Sequence, residues 1–221
     1  ASMDDARPIL TGVLLAAEQE GLRLVATDSY RMAIRDVPGT EILSRDEIVL
    51  VPSRALDVVK RVLNEGKELT VVLGEKEAVF KIGNINIVTR LIEGEFPNYK
   101  GLIPEKNKNR LVINREETLS ALQRVKLLAR ETTPIRLSMS DKKIELLAIE
   151  QDIGQATEII EGEYSGEEIT VAFNPDYLID GLEVISTEEV TLETTDALKP
   201  AILKGLNEKT FLYLLMPVRV S

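Results

Sequence analysis

The sequence predicts an α+β fold in which short antiparallel strands form sheets and helices cover them. Apolar and polar residues alternate over many short segments, as expected for half-buried strands. Helical segments interrupt these strands, and one order of strands and helices occurs twice along the chain. A chain of 221 residues is long enough for two ordinary domains, and the repeat favours that number.

The repeat has one offset, 122 residues, at two separate places. Leu22–Thr27 resembles Ile144–Ile149, and Ile48–Pro52 resembles Thr170–Asn174. Since one register fits two distant segments, we interpret the chain as two copies of one domain.

The alternation predicts six strands in the first copy, with turns at glycines between them. They are Val13–Glu18, Leu22–Thr27, Arg31–Val37, Leu69–Leu73, Ala78–Ile82 and Ile85–Leu91. A helix is expected to begin at Pro52 and end at Gly66, burying Leu56, Val59 and Leu63. Its counterpart should begin with Asn174 as N-cap and Pro175 in the first turn. The inward residues of that second helix would be Leu178, Leu182 and Ile185.

Pro, Lys and Asn cluster at 104–109, so we predict domains over 1–104 and 105–221. The second domain opens with a strand, Arg110–Asn114, and a helix from about Arg115 to Arg130. Their counterparts would fall mostly before residue 1. We therefore expect two helices in a complete copy and a first domain that lacks its first strand and helix. The alternative is a first copy that never had them.

Composition makes several catalytic sites impossible. The chain has no Cys and no His, which excludes thiolate nucleophiles, Ser-His pairs, His-ligated metals and the common zinc sites. We expect no cofactor and no metal. No long apolar run or signal-like start is present, so we expect a cytoplasmic protein. The net charge of −10 argues against binding nucleic acid through overall charge.

Four segments, in this order, resemble the bacterial β sliding clamp family. They are Arg7–Gly12, Val25–Met32, Leu91–Tyr99 and Tyr213–Arg219. The resemblance implies repeated DNA-clamp domains, here the second and third of three. It also implies a non-catalytic processivity factor of DNA polymerase III that encircles duplex DNA as a head-to-tail homodimer. Because the family's interface joins the third domain of one chain to the first of the other, this chain alone is not expected to close a ring.

The resemblance further implies a peptide-binding pocket between the domains for the replicative polymerase, the clamp loader and other partners. Its residues would be Leu10, Thr27, Ser29, Tyr30, Arg31, Met32, Pro97, Leu102, Asn174, Tyr177, Leu198, Pro200, Leu214, Leu215, Met216, Pro217, Val218 and Arg219. From the residues alone, Asp28 indicates an Asx-type turn and the tail a last strand. We expect Met216→Ala or Leu215→Ala to weaken peptide binding about tenfold or more while leaving the thermal midpoint nearly unchanged.

Basic residues on the predicted helices would face DNA inside a ring. They are Arg54, Lys60, Arg61, Arg115, Arg124, Lys126 and Arg130. Acidic residues dilute them, and the helix after Asn174 is acidic, so we expect weak contact without base readout. A solvated amphipathic face would explain the same residues.

Two other functions fit the sequence. One is a repeat-built peptide-binding module that does not act on DNA. The other is a metal-dependent hydrolase using Asp28, Asp152 and Asp196, for which the sequence offers no ligand motif.

Overall fold

The computed structural model describes residues 1–66, 68–129, 133–141 and 143–219. The chain divides into two compact units, Ala1–Asn98 and the part from Tyr99 onward. This division lies six residues before the predicted boundary at 104. Tyr99 is joined to the residues that follow it. Its carbonyl accepts the N–H of Leu102 at 3.0 Å and so opens the 3₁₀ turn Lys100–Leu102.

The first unit contains seven strands and one α-helix among its described residues. In chain order they are β1 (Gly12–Glu18), β2 (Gly21–Thr27), β3 (Arg31–Pro38), β4 (Ile48–Pro52), α1 (Ser53–Val62), β5 (Leu69–Leu73), β6 (Glu77–Ile82) and β7 (Ile85–Arg90). All six strands predicted in this copy are present, with ends that shift by at most a residue.

These strands form two antiparallel sheets. The first has the order β3-β2-β1-β4 and the second the order β5-β6-β7. Alternate side chains of both sheets face α1, because successive residues of a strand point to opposite faces. The resulting core includes Leu15, Val51, Val59 and Phe80, all at most 4% exposed.

The second unit contains nine strands and two α-helices among its described residues. They are β8 (Asn109–Asn114), α2 (Arg115–Lys126), β9 (Ile135–Ser140), β10 (Lys143–Glu150), β11 (Gly154–Ile160), β12 (Gly162–Ser165), β13 (Ile169–Phe173), α3 (Pro175–Glu183), β14 (Glu189–Thr194), β15 (Ala201–Gly205) and β16 (Phe211–Leu215). Two helices in this copy and antiparallel sheets confirm the predicted α+β class.

Within this unit the sheets have the orders β11-β10-β9-β13 and β12-β8-β14-β15-β16. Helices α2 and α3 pack against each other, and α2 also covers β10 and β11. Apolar side chains of both helices and six strands line one small internal cavity. Leu122, Leu137, Leu182 and Leu203 are among them, each at most 3% exposed.

The structure confirms the repeat down to the strand register. Leu15 of β1 pairs with Leu24 of β2, and 122 residues later Leu137 of β9 pairs with Leu146 of β10. The strand order β3-β2-β1-β4 recurs as β11-β10-β9-β13. In the same way β5-β6-β7 corresponds to β14-β15-β16, to which the second unit adds β8 and β12.

Two details of the predicted helices are wrong. Leu63 was expected inside, but it is 41% exposed, because the chain tightens there into the 3₁₀ turn Leu63–Glu65 and the side chain rotates outward. The helix predicted to reach Arg130 ends at Lys126. The N–H groups of Leu127 to Ala129 instead bond three residues back, which ends the α-helical pattern. Arg130 itself lies outside the described residues.

The N-termini of the other helices follow the prediction. Asn174 accepts a hydrogen bond from the N–H of Asp176 at 2.9 Å, and Pro175 occupies the first turn. Gly66 ends the 3₁₀ turn that continues α1.

Among the described residues, none of the helices has both the length and the apolar character needed to cross a bilayer.

Candidate peptide-binding surfaces and basic helix faces

The loop between β2 and β3 is held by its own side chains. Asp28 accepts hydrogen bonds from the N–H groups of Tyr30 and Arg31 at 2.9 and 3.0 Å, which confirms the predicted Asx-type turn. The same carboxylate accepts from Arg31 Nε at 2.9 Å. Thr27 Oγ1 donates to the Arg31 carbonyl at 2.7 Å. Ser29 has a φ of 80°, so the loop presents residues 29 and 30 outward in a fixed geometry.

Arg7 also contacts this loop, although it was not among the predicted pocket residues. Its Nη1 donates to Ser29 Oγ at 3.1 Å, and its Nε donates to Asp4 at 3.1 Å. Tyr30, which follows Ser29 in the chain, is 58% exposed. The first unit therefore offers a cation, a hydroxyl and an exposed aromatic ring together. Arg7 begins one of the four segments that carried the family resemblance, and that position was the available signal.

The C-terminal tail of the second unit leaves its sheet after β16. Leu214 and Leu215 are buried, whereas Met216 and Val218 are each 37% exposed. The N–H of Val218 donates to the carbonyl of Ala172 in β13 at 2.8 Å. This bond ties the tail to the edge of the other sheet of the unit, so Met216 and Pro217 are held on the surface.

A second turn of this unit presents an exposed apolar side chain. Asp196 accepts hydrogen bonds from the N–H groups of Leu198 and Lys199 at 2.8 and 2.9 Å. The Leu198 N–H, with help from Lys199, holds the pKa of the Asp196 carboxyl below its usual value. The turn leaves Leu198 61% exposed, next to the half-buried Pro200.

Tyr177, another residue of the predicted pocket, lies in α3 and supports the same unit. Its carbonyl accepts the hydroxyl of Tyr213 at 3.1 Å, which joins the helix to β16. Its side chain is half-buried, as is that of the capping residue Asn174.

Burial divides the predicted pocket residues into three groups. Five of them are core residues: Leu10, Thr27, Met32, Leu214 and Leu215. The half-buried group is Arg31, Asn174, Tyr177, Pro200 and Pro217. The exposed group is Ser29, Tyr30, Pro97, Leu102, Leu198, Met216, Val218 and Arg219. The expectation that Leu215→Ala would leave the thermal midpoint unchanged is wrong, because that side chain is 0% exposed and its truncation creates a core cavity costing about 2–5 kcal/mol.

Most of the predicted DNA-facing cations have carboxylate partners. Arg54 Nη2 lies 3.4 Å from Asp5, Arg124 makes a two-pronged pair with Glu158, and Lys126 pairs with Asp176. Arg115 is directed into its own unit, where it donates to the Leu182 carbonyl and pairs with Glu116. Lys60 and Arg61 at the end of α1 are exposed.

The described residues contain no cluster of three or more acidic side chains that could hold a metal ion. Of the carboxylates considered for a hydrolase, those of Asp28 and Asp196 are already bonded to turn amides.

Two copies of one α+β domain, each with exposed side chains on hydrogen-bonded turns, define a repeat-built protein with candidate binding surfaces. Comparison with protein-family models identifies the two copies separately. Residues 1–98 match the model described as "DNA polymerase III beta subunit, central domain", and residues 100–219 match its "C-terminal domain". The chain belongs to the DNA polymerase III beta subunit family.

Individual relatives agree with this assignment. The beta sliding clamp of Bacillus subtilis is 34% identical over 227 residues, and that of Streptomyces coelicolor is 34% identical over 235. The crystal structure of the DNA polymerase sliding clamp from Bacillus subtilis superposes with a TM-score of 0.94 at 33% identity and covers all of this chain. The chain spans 59% and 62% of the length of the two relatives and 60% of the solved chain.

Proposed function

We propose that this chain acts as part of a sliding clamp of bacterial DNA replication. The clamp encircles duplex DNA as a homodimeric ring in the cytoplasm and tethers the polymerase and other proteins without catalysing a reaction. The observation that carries the proposal is the match of both units, in order and over nearly the whole chain, to successive domains of one family. A peptide-binding module without DNA is the weaker alternative, since no observation favours it over the family role.

Partners would be held through short peptides with apolar anchors. In the second unit, Leu198 and Met216 are exposed apolar side chains on backbone that hydrogen bonds hold in place. In the first unit, Tyr30 and Arg31 lie on a loop fixed by Asp28. Such preformed surfaces lose little conformational freedom on binding, so a few anchor contacts can dominate the affinity.

Ring closure requires a surface for a second chain. Strand β11 is an edge strand of its sheet, and Ile159 on it is 64% exposed. Leu127, just after α2, is 84% exposed. An edge strand with exposed apolar residues is a template for pairing with another chain, which supports the proposed dimer contact in the second unit.

Isothermal titration calorimetry with a synthetic peptide carrying Leu and Phe anchors tests the peptide surface. We expect Met216→Ala to weaken binding about tenfold or more, because an anchor that fills a pocket commonly contributes on the order of 2 kcal/mol. Val184→Ala is the matched control, since Val184 is also an exposed apolar residue of the second unit but follows α3.

The thermal midpoint of Met216→Ala should stay within a few degrees of the wild type, because its side chain is partly exposed. Equal peptide affinity for the wild type, Met216→Ala and Val184→Ala would remove this surface from the proposal. A loss shared equally by both variants would show that the effect is not specific to the tail.

A further inference from the structure

Strand β8 and the segment that leads into it carry three exposed cations. They are Lys106, Lys108 and Arg110, which together are called the basic strip. Within the described residues none of the three forms an ion pair. The chain as a whole has a net charge of −10, so carboxylates are more numerous than cations. The basic strip is therefore a positive patch on an acidic protein.

Two asparagines that alternate with these cations fix the backbone of the basic strip. Asn107 Nδ2 donates to Oε2 of Glu193 at 3.2 Å. Asn109 is buried, donates to Thr194 Oγ1 at 3.3 Å and accepts the N–H of Glu167 at 3.0 Å. Because both asparagines are bonded to neighbouring parts of the second unit, the cations next to them are held on its surface.

The carboxylate that lies opposite the basic strip in the sheet is already occupied. Glu193 of β14 faces Arg110 of β8 in the strand register. Its Oε1 lies 2.9 Å from Lys204 Nζ, and its Oε2 accepts the hydrogen bond from Asn107. Since both oxygens have partners, Arg110 is available to a carboxylate from another molecule.

The end of the basic strip that lies in β8 points away from the helices of the second unit. Leu111 and Ile113 of β8 are buried, and Ile113 lines the internal cavity together with side chains of α2 and α3. Successive residues of a strand point to opposite faces, so Arg110 points away from both helices. In the proposed ring the helices face duplex DNA. The direction of Arg110 therefore favours a protein ligand over the encircled duplex.

The basic strip begins beside the turn that presents a candidate anchor for peptides. Thr195 Oγ1 donates to the Lys106 carbonyl at 3.3 Å. The next residue, Asp196, holds the turn on which Leu198 is 61% exposed. A peptide that contacts Leu198 can therefore continue onto the basic strip without leaving the second unit.

We propose that the basic strip binds acidic residues that flank the apolar anchors of a partner peptide. This inference rests on the proposed function, since it adds a charged contact to the proposed peptide surface. Glu or Asp residues at alternate positions of an extended segment would match the alternating cations. Each exposed ion pair stabilises a complex only slightly, so the basic strip acts mainly on the association rate and on the choice of partner.

Fluorescence anisotropy with two labelled peptides tests the basic strip. Both peptides carry the same Leu and Phe anchors, and one has three Glu residues where the other has Gln. Versions with these residues before and after the anchors cover both directions of the bound chain. We expect the wild type to bind the acidic peptide about tenfold more tightly at low salt, because three exposed ion pairs together contribute roughly that factor. The difference should largely vanish between about 0.1 M and about 1 M salt, as the Debye length falls from about 10 Å to about 3 Å.

A triple variant tests whether the basic strip is the source of this preference. Lys106→Gln, Lys108→Gln and Arg110→Gln in one protein should reduce the affinity for the acidic peptide to that for the Gln peptide. Its thermal midpoint should stay within a few degrees of the wild type, because the three side chains are exposed. A triple variant that still prefers the acidic peptide by the full factor would overturn the proposal.

A matched control separates the basic strip from overall charge. It carries Lys76→Gln, Lys81→Gln and Lys209→Gln, which change the net charge by the same amount. These lysines are also exposed, and within the described residues they form no ion pair. The control should keep the wild-type preference for the acidic peptide. An equal loss in the control and in the strip variant would mean that the preference comes from net charge, which would overturn the proposal.

The remaining outcomes separate the basic strip from the peptide surface itself. If the wild type binds both peptides equally and Met216→Ala weakens both, the strip proposal is wrong and the peptide surface stands. If a labelled DNA oligonucleotide binds as tightly as the acidic peptide and the strip variant loses both, the ligand is a nucleic acid and the proposal is overturned. If neither peptide binds the wild type at low salt, the strip proposal fails together with the proposed peptide surface.

Discussion

At the scale of single residues, the packing of α3 on β16 depends on a glycine. An added Cβ at Gly181 would lie 2.5 Å from two ring carbons of Tyr213, closer than real contacts allow. The ring cannot move away easily, because Tyr213 is buried and its hydroxyl bonds to the Tyr177 carbonyl. Position 181 therefore requires a glycine, because any Cβ there would clash with the Tyr213 ring.

Gly181→Ala should accordingly destabilise the protein. Overpacking commonly costs about 1–3 kcal/mol, and the gain in helix propensity returns about 1 kcal/mol. We expect a net loss of up to about 2 kcal/mol in the free energy of unfolding, measured by urea denaturation. Gly101→Ala is the control, since nothing lies within 4 Å of an added Cβ there. A Gly181→Ala variant as stable as the wild type would show that β16 and its Tyr213 ring can move to accommodate the added methyl group.

The carboxylate of Asp196 predicts a pH dependence. Its pKa is lowered mainly by the N–H of Leu198, so the folded state binds its proton less tightly than the unfolded state. The stabilisation is complete above the ordinary pKa of Asp and is lost as pH falls through the lower pKa of the folded state. Asp196→Asn keeps an acceptor oxygen for the turn but cannot titrate.

We therefore expect the stability difference between the wild type and Asp196→Asn to be largest near pH 7 and to shrink below pH 4. Urea denaturation at pH 7, 5, 4 and 3 measures this difference. A difference that stays constant over the whole range would mean that the turn does not bind the ionised form preferentially.

At the scale of elements, the helices begin in different ways. Asn114 caps α2 through a hydrogen bond from the N–H of Glu117 at 3.0 Å, whereas α1 begins at Ser53, and Pro52 before it provides no side-chain cap. The last turn of α2 forms two ion pairs, one from Arg124 to β11 and one from Lys126 to α3. Its two ends are thus fixed by polar contacts and its middle by buried Leu119 and Leu122.

Replacing Asn114 by Ala should cost about 1 kcal/mol of stability, because an N–H of the first turn loses its acceptor. Asn114→Ser should recover most of this loss, since a serine hydroxyl can accept the same bond. Thermal and urea unfolding of both variants provide the comparison. If Ser and Ala were equally destabilising, the contribution of Asn114 to stability would come from its position in β8 and not from the helix cap.

At the scale of the whole molecule, the proposed function makes retention on DNA a matter of topology. The chain covers 59% of the Bacillus subtilis relative, and its net charge is −10. We expect this chain alone to be lost from nicked circular DNA in a high-salt wash, even after incubation with a clamp loader and ATP. Weak contacts of exposed cations are screened under those conditions.

A protein that joins this chain to the remaining family domain should stay on the circle and slip from linearised plasmid. Gel filtration of each protein with both forms of DNA gives the measurement. Salt-resistant retention of the 221-residue chain on linear DNA would contradict a topological mechanism and indicate a direct binding surface.

Local signals in the sequence were enough for the repeat, the six strands of the first unit and the starts of the helices. Alternation, an Asn-Pro pair and an Asx turn at Asp28 each involve neighbours along the chain, so they can be read without the fold. The end of α2 and the exposure of Leu63 were not predicted. Both follow from a change to hydrogen bonds three residues back at a helix end, and the apolar periodicity of the sequence does not indicate that change. Strand β12 was missed because four residues give no clear alternation.

The sequence by itself therefore determined the domain type, its duplication and the family whose segments it shares. Only the tertiary structure decided that Leu215 is a core residue while Met216 is a surface one, and that Arg124 meets Glu158 across 34 positions of the chain. The physical reason is that secondary structure and turns depend on interactions within a few residues. Burial and ion pairing depend instead on which strands and helices become neighbours after the chain has folded.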